Sequence, residues 1–141
     1  GHYCTFYTDK NYKNIFVSGN NQSFTCINDH PSIFNSSLDV ITWFKDHALK
    51  VKQICVNHVS LCTFWITIDN QIYVNGINHN GELGLGNNDH QKRIFPVLIP
   101  ELSKNIHVLD IVSNPRYSLA LCGTDKNMLI TIINYWSRQS P

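Results

Sequence analysis

Short apolar runs alternate with polar, asparagine-rich turns along this chain. Ile15-Phe16-Val17, Val40 to Phe44, Phe64 to Ile68, Ile72-Tyr73-Val74, Phe95 to Ile99 and Met128 to Ile133 are rich in β-branched and aromatic residues. Such residues fit a pleated, half-buried surface, so each run predicts a strand. Asp69-Asn70, Asn80-Gly81 and Gly86-Asn87-Asn88 lie between runs and are turn formers. Helical signal is thin. Ser36-Ser37-Leu38-Asp39 has the polar start of a helix, but the Val40-Ile41-Thr42 that follows favours strand. Pro96 and Pro100 bracket Val97-Leu98-Ile99, which makes that segment an edge strand or an extended connection. The fold class is all-β: a sandwich, a barrel or a propeller.

A repeat separates these options. Ile15-Phe16-Val17-Ser18-Gly19-Asn20-Asn21 aligns with Ile72-Tyr73-Val74-Asn75-Gly76-Ile77-Asn78, with the glycines 57 residues apart. A weaker copy falls another 57 residues on, at Leu129 to Ile133, where Ile133 takes the glycine place. An apolar run and then an aspartate (Asp9, Asp69 or Asp125) precede each copy. The unit is strand, Asp-containing turn, strand, glycine loop. Repetition of the acids at turn positions assigns them to backbone capping rather than to catalysis.

The densest signal is Gly76-Ile77-Asn78-His79-Asn80-Gly81-Glu82-Leu83-Gly84-Leu85-Gly86. Its glycines predict a loop with positive φ or close backbone approach, anchored by Leu83 and Leu85, with His79 and Asn80 at an exposed tip. A phosphate-binding loop would need a helix and often a Lys-Ser/Thr pair next, whereas Asn87-Asn88-Asp89-His90 and then Pro96 follow. The stretch resembles the signature of RCC1 repeats, W-G-x-N-x-x-G-Q-L-G-x-G, with Asn75 in the place of Trp and Glu82 in that of Gln. A second family pattern, V-A-C-G-x-x-H-S-L-A-L-T-x-D-G-x-V-Y, is similar to Ile111 to Leu121, to His2 to Asp9 running into Ile15-Phe16, and to Ile54 to Tyr73. The first copy departs after Asn21, where Gln22-Ser23-Phe24 lacks the G-Q-L-G continuation. The resemblance implies a β-propeller fragment of about two to three four-stranded antiparallel blades. It divides residues 1–141 into a half-repeat 1–14, repeats 15–71 and 72–128, and a half-repeat 129–141. An arc of this kind has open sheet edges, so it is expected to pair with the rest of a longer chain or to self-associate.

Composition narrows the function. Lys and Arg total 11 and Asp and Glu total 10, for a net charge of +1, without the clustered cations of a nucleic-acid surface. No run approaches a membrane span. Gly1-His2-Tyr3 shows neither an initiator Met nor a signal-peptide pattern and reads as a domain boundary. The 5 cysteines are odd in number and irregularly spaced, which suggests a reducing, intracellular setting, nuclear or cytoplasmic. Cys55, His58 and Cys62 form one short cluster without the second pair that zinc needs, so the cysteines read as small core residues. Trp43, Trp65, Tyr73 and Trp136 read as core or interface. No G-x-S-x-G elbow occurs, and neither a catalytic group nor a cofactor is assigned.

Loops projecting from rigid strands commonly carry recognition, which makes a protein–protein interaction scaffold the expected function. The candidate partner-binding residues are His79, Asn80, Asn87, Asn88, Asp89, His90 and Arg93. Gly19, Gly76, Gly81, Leu83, Gly84, Leu85 and Gly86 are the structural motif. The resemblance also implies a second function, part of a guanine-nucleotide exchange factor for a Ran-like small GTPase.

Overall fold

The computed structural model describes residues 4–20, 33–57, 61–86, 90–99, 107–113, 118–123 and 128–132. These form ten strands and one short helix: β1 Cys4–Thr8, β2 Ile15–Asn20, β3 Ile33–Ile41, α1 Trp43–Asp46, β4 Val51–Asn57, β5 Cys62–Thr67, β6 Ile72–Gly76, β7 Arg93–Leu98, β8 His107–Ser113, β9 Ser118–Gly123 and β10 Met128–Ile132. They make three antiparallel sheets, ordered β1-β2-β3, β4-β5-β6-β7 and β10-β9-β8. Among the described residues only the middle sheet has the four strands expected of a blade. The first holds counterparts of β5, β6 and β7, and the third holds counterparts of β4, β5 and β6.

The 57-residue period governs register. Cys4 pairs with Gly19 in the first sheet and Cys62 with Gly76 in the second. The ladder shifts between Val17 and Gly19 and again between Val74 and Gly76. Between β4 and β5 the shift is at Val51/Gln53, and between β8 and β9 it recurs at Val108/Asp110. A bulge aims the following side chains differently, so shared bulges mean shared blade geometry. Gln53 Nε2 donates to Asp110 Oδ1 at 2.6 Å, joining two positions 57 residues apart on neighbouring sheets.

Stacking creates two cores, one on each face of the middle sheet. Side chains alternate between faces along a strand, and β5 is buried along its whole length because both of its faces are covered. Cys62, Phe64 and Ile66, with Ile72 and Val74, pack against Val108, Ile111, Ala120 and Cys122 of the third sheet. Trp65 faces the other way, onto Ile15, Val17, Ile41, Phe44 and Val51. Phe6 meets Trp65 edge-on at 5.1 Å, a favoured aromatic geometry. Trp65 Nε1 donates to the buried Asn75 Oδ1 at 2.6 Å. Asn75, in the place of the signature Trp, therefore serves as polar partner to an indole on the neighbouring strand.

Three expectations need adjustment or comment. Trp43-Phe44 is not strand. Thr42 adopts αR backbone and a single helical turn follows, closed by Asp46 N donating to Thr42 O at 2.9 Å. The turn drives Phe44 into the core between the first two sheets, and that burial outweighs the β preference of its neighbours. Pro96 does lie in an edge strand, β7, within the bulge where Val74 pairs with Val97 and Gly76 with Arg93. The aspartate turns are not identical. Asp9 accepts from Lys13 N and Asn14 Nδ2, both at 2.8 Å, and the Lys13 amide above all holds its carboxyl below the usual range. The shorter turn at Asp69 instead uses Thr67 Oγ1, which accepts from Gln71 N, with Asn70 at φ +60°. Asp125, Ile133, Trp136 and His58 lie outside the described residues.

Among the described residues, each end sheet exposes apolar side chains. Tyr7, Phe16 and Val40 form one row across β1, β2 and β3, with Tyr7 50% and Val40 51% exposed. On the third sheet, Val112 is 57% exposed beside Leu119, and with Asp110 and Leu121 they line a cavity of about 180 Å³. Among the described residues no helix is long and apolar enough to cross a membrane.

Trp65→Phe is expected to keep the fold while leaving the Asn75 oxygen without its indole donor, costing about 1–3 kcal/mol. Urea unfolding of the chain checks this. An unchanged midpoint would show that the indole bond contributes nothing.

Candidate functional site

The connection from Ile77 to Lys92 joins β6 to the edge strand β7, and its entry point is Gly76. Gly76 has φ +123°, matched by Gly19 at +120°. A side chain at Gly76 would collide with the carbonyl oxygen of Leu61 and lie 2.7 Å from Cys62 Cα. Both obstacles are backbone, so neither can rotate away. The close approach lets Ile77 N donate to Leu61 O at 2.9 Å, which ties the start of the loop to the start of β5.

Beyond Gly76 the loop is held by its own polar atoms. Asn78 is buried, and its Oδ1 accepts from Leu83 N at 3.0 Å. Gly81 N donates to Asn78 O and Gly84 N to Gly81 O, at 3.3 and 3.1 Å. Glu82 folds back on Asn80, accepting from its backbone N at 2.8 Å and from Nδ2 at 3.1 Å. Gly81, Gly84 and Gly86 are buried and have positive φ, which the tight path of the chain requires. Leu83 is fully buried in the core between the second and third sheets, and the half-buried Leu85 packs against that core. The loop thus sinks its leucines, closes its backbone bonds inward and leaves His79 and Asn80 exposed.

The remaining candidates scatter. His90 is exposed. Arg93 is the first residue of β7, opposite Gly76 and half-buried, so it stands at the base of the loop rather than in it. Asn87, Asn88 and Asp89 lie outside the described residues.

Cys62, beside this loop, is a core residue. Burial first, then the Glu82 carboxylate and Cys55, push its thiol far above the ordinary value, which suppresses thiolate chemistry. Burial also raises the Cys122 thiol. Among the described residues no three His, Cys, Asp or Glu side chains come together as a metal site. A second concavity, which sequence reasoning missed, lies at the junction of the first two sheets. It has a volume of about 510 Å³ and is lined by Lys13, Asn14, Lys45, Ala48, Leu49 and Lys50. Lys45 and Lys50 are near neighbours in sequence, but Lys13 lies in a distant turn and joins them only because the two sheets stack.

The chain is thus a stack of antiparallel sheets with a repeated bulge and a glycine loop. Residues 69–121 match the family described as Regulator of chromosome condensation (RCC1) repeat. The match runs from the turn after β5, through the glycine loop, into β9. The fold is similar to the crystal structure of human WBSCR16, with a TM-score of 0.64 and 14% sequence identity over 95% of this chain. The similarity covers 34% of that protein, so the chain spans about a third of its length. No curated protein matches the chain by sequence.

Leu83→Ala should cost about 2–5 kcal/mol, as buried leucine truncations do. Gly76→Ala should be at least as damaging, since strain and a backbone collision coincide. Chemical denaturation of both variants tests the anchoring; a loss under about half a kcal/mol for Leu83→Ala would be too small for a buried leucine.

Proposed function

We propose that the chain is the recognition-bearing part of an RCC1-like propeller and binds a protein partner through the loop tip at His79 and Asn80. The observation that carries this reading is a pair of exposed polar side chains on a loop whose backbone is closed by internal bonds. A tip ordered before binding loses little conformational entropy on contact. The nearly neutral charge favours a protein surface over a nucleic-acid backbone. Repeats 15–71 and 72–128 are the units of this scaffold. The open faces of the first and third sheets are the places where further sheets of the same kind complete the stack.

A photo-crosslinking residue at position 79 or 80 should capture a protein partner. His79→Ala with Asn80→Ala should abolish binding of that partner, once purified, and lower the melting temperature by no more than the lost Asn80–Glu82 hydrogen bond accounts for. Equal capture from a crosslinker at the exposed position 10, or undiminished binding by the double variant, would sink the assignment.

Exchange on a Ran-like GTPase is the second reading. It requires a broad surface that favours the empty GTPase over the loaded one. A standard interface buries roughly 800 Å² per partner, and an arc of this size presents only part of a ring face. The purified chain is therefore expected not to accelerate release of labelled GDP from such a GTPase. Concentration-dependent release would reverse the order of the two readings.

A further inference from the structure

Lys50, just before β4, and His107, at the start of β8, lie 57 residues apart, and Lys13 lies in the β1–β2 turn as Asn70 lies in the β5–β6 turn. At the second junction Asn70 Nδ2 lies 2.7 Å from His107 Nδ1, and a hydrogen bond spans the gap. At the first junction the corresponding turn and strand start carry lysines, Lys13 and Lys50. Two ammonium groups cannot bond to each other, and here they line an open cavity of about 510 Å³. Lys45, from α1, adds a third cation to the wall.

The carboxylates nearby do not neutralise this cluster. Asp9 directs its oxygens to the Lys13 amide and the Asn14 side chain. Asp46, next to Lys45, is not part of the lining. No salt bridge joins Lys13, Lys45 or Lys50 to an acid among the described residues. Half-buried Leu49, beside the exposed Ala48, supplies an apolar wall, which lowers the local dielectric and strengthens attraction for an anion. The volume falls within the range of small-molecule sites, roughly 300–1,000 Å³.

We propose that this cleft binds a phosphate group, either the free ion or a small organic phosphate, between Lys13, Lys45 and Lys50. A compact, multiply charged anion offsets several ammonium charges at once, whereas a single carboxylate offsets one. Lysine engages phosphate as a point charge, so binding depends strongly on salt.

The test titrates the isotope-labelled full chain with inorganic phosphate at low ionic strength, followed by amide NMR. Saturable shifts are expected at Lys13, Asn14, Lys45 and Ala48 to Lys50, weakening as sodium chloride is added. Glycerol phosphate in a parallel titration separates the sources: tighter binding than phosphate assigns an organic ligand, and equal or weaker binding assigns the free ion. The double variant Lys13→Asn, Lys50→His removes two of the three cations and should lower phosphate affinity at least tenfold. Lys45→Gln should weaken binding by itself and serves if the double variant does not fold. Shifts spread evenly over the lysines, no saturation by either phosphate, full affinity in the variants, or binding of hexaglutamate in place of phosphate would each overturn the proposal.

Discussion

Burial of β5 on both faces is the condition on which the other packing depends. Phe64 and Trp65 are neighbours in sequence and point in opposite directions, one into each core. Deleting either neighbouring sheet would expose a row of large side chains, each contributing roughly 1.5–3 kcal/mol by its burial. A strand covered on both faces has no solvent side on which to place polar residues. The two threonines in β5 are buried, and Thr67 uses its hydroxyl to receive a backbone N–H of the next turn. The middle sheet thus belongs to two cores at once, and the end sheets belong to one each.

The glycine loop draws its rigidity from the same arrangement. Gly76 lies against the backbone at the start of β5, and Leu83 occupies the core that β5 shares with the third sheet. The tip at His79 and Asn80 is therefore attached to the best-packed part of the molecule, although it is itself exposed. Rigidity at the base with polarity at the tip is the physical basis of the proposed recognition role. The lysine cleft has a different origin. At the junction of the first two sheets the β1–β2 turn and the segment from α1 to β4 leave an open gap lined by lysines.

The sequence determined the class of fold, the period and the anchor positions, because these depend on local properties. Alternation of apolar and polar residues shows in the order of side chains. A 57-residue spacing of glycines shows by simple comparison, and the matched bulges at Gly19 and Gly76 follow from it. Leu83 was legible as an anchor because it and Leu85 are the two large apolar side chains between Gly81 and Gly86. Tertiary structure decided what depends on neighbours distant in the chain. The Trp43–Phe44 segment formed a helical turn because Phe44 had a core to fill, which no local propensity reports. Asn75 became the partner of Trp65 because adjacent strands brought them together across the sheet. Arg93 joined a strand opposite Gly76 because the ladder extended that far. Lys13, Lys45 and Lys50 met because two sheets stacked, and the charge that results belongs to the junction between them.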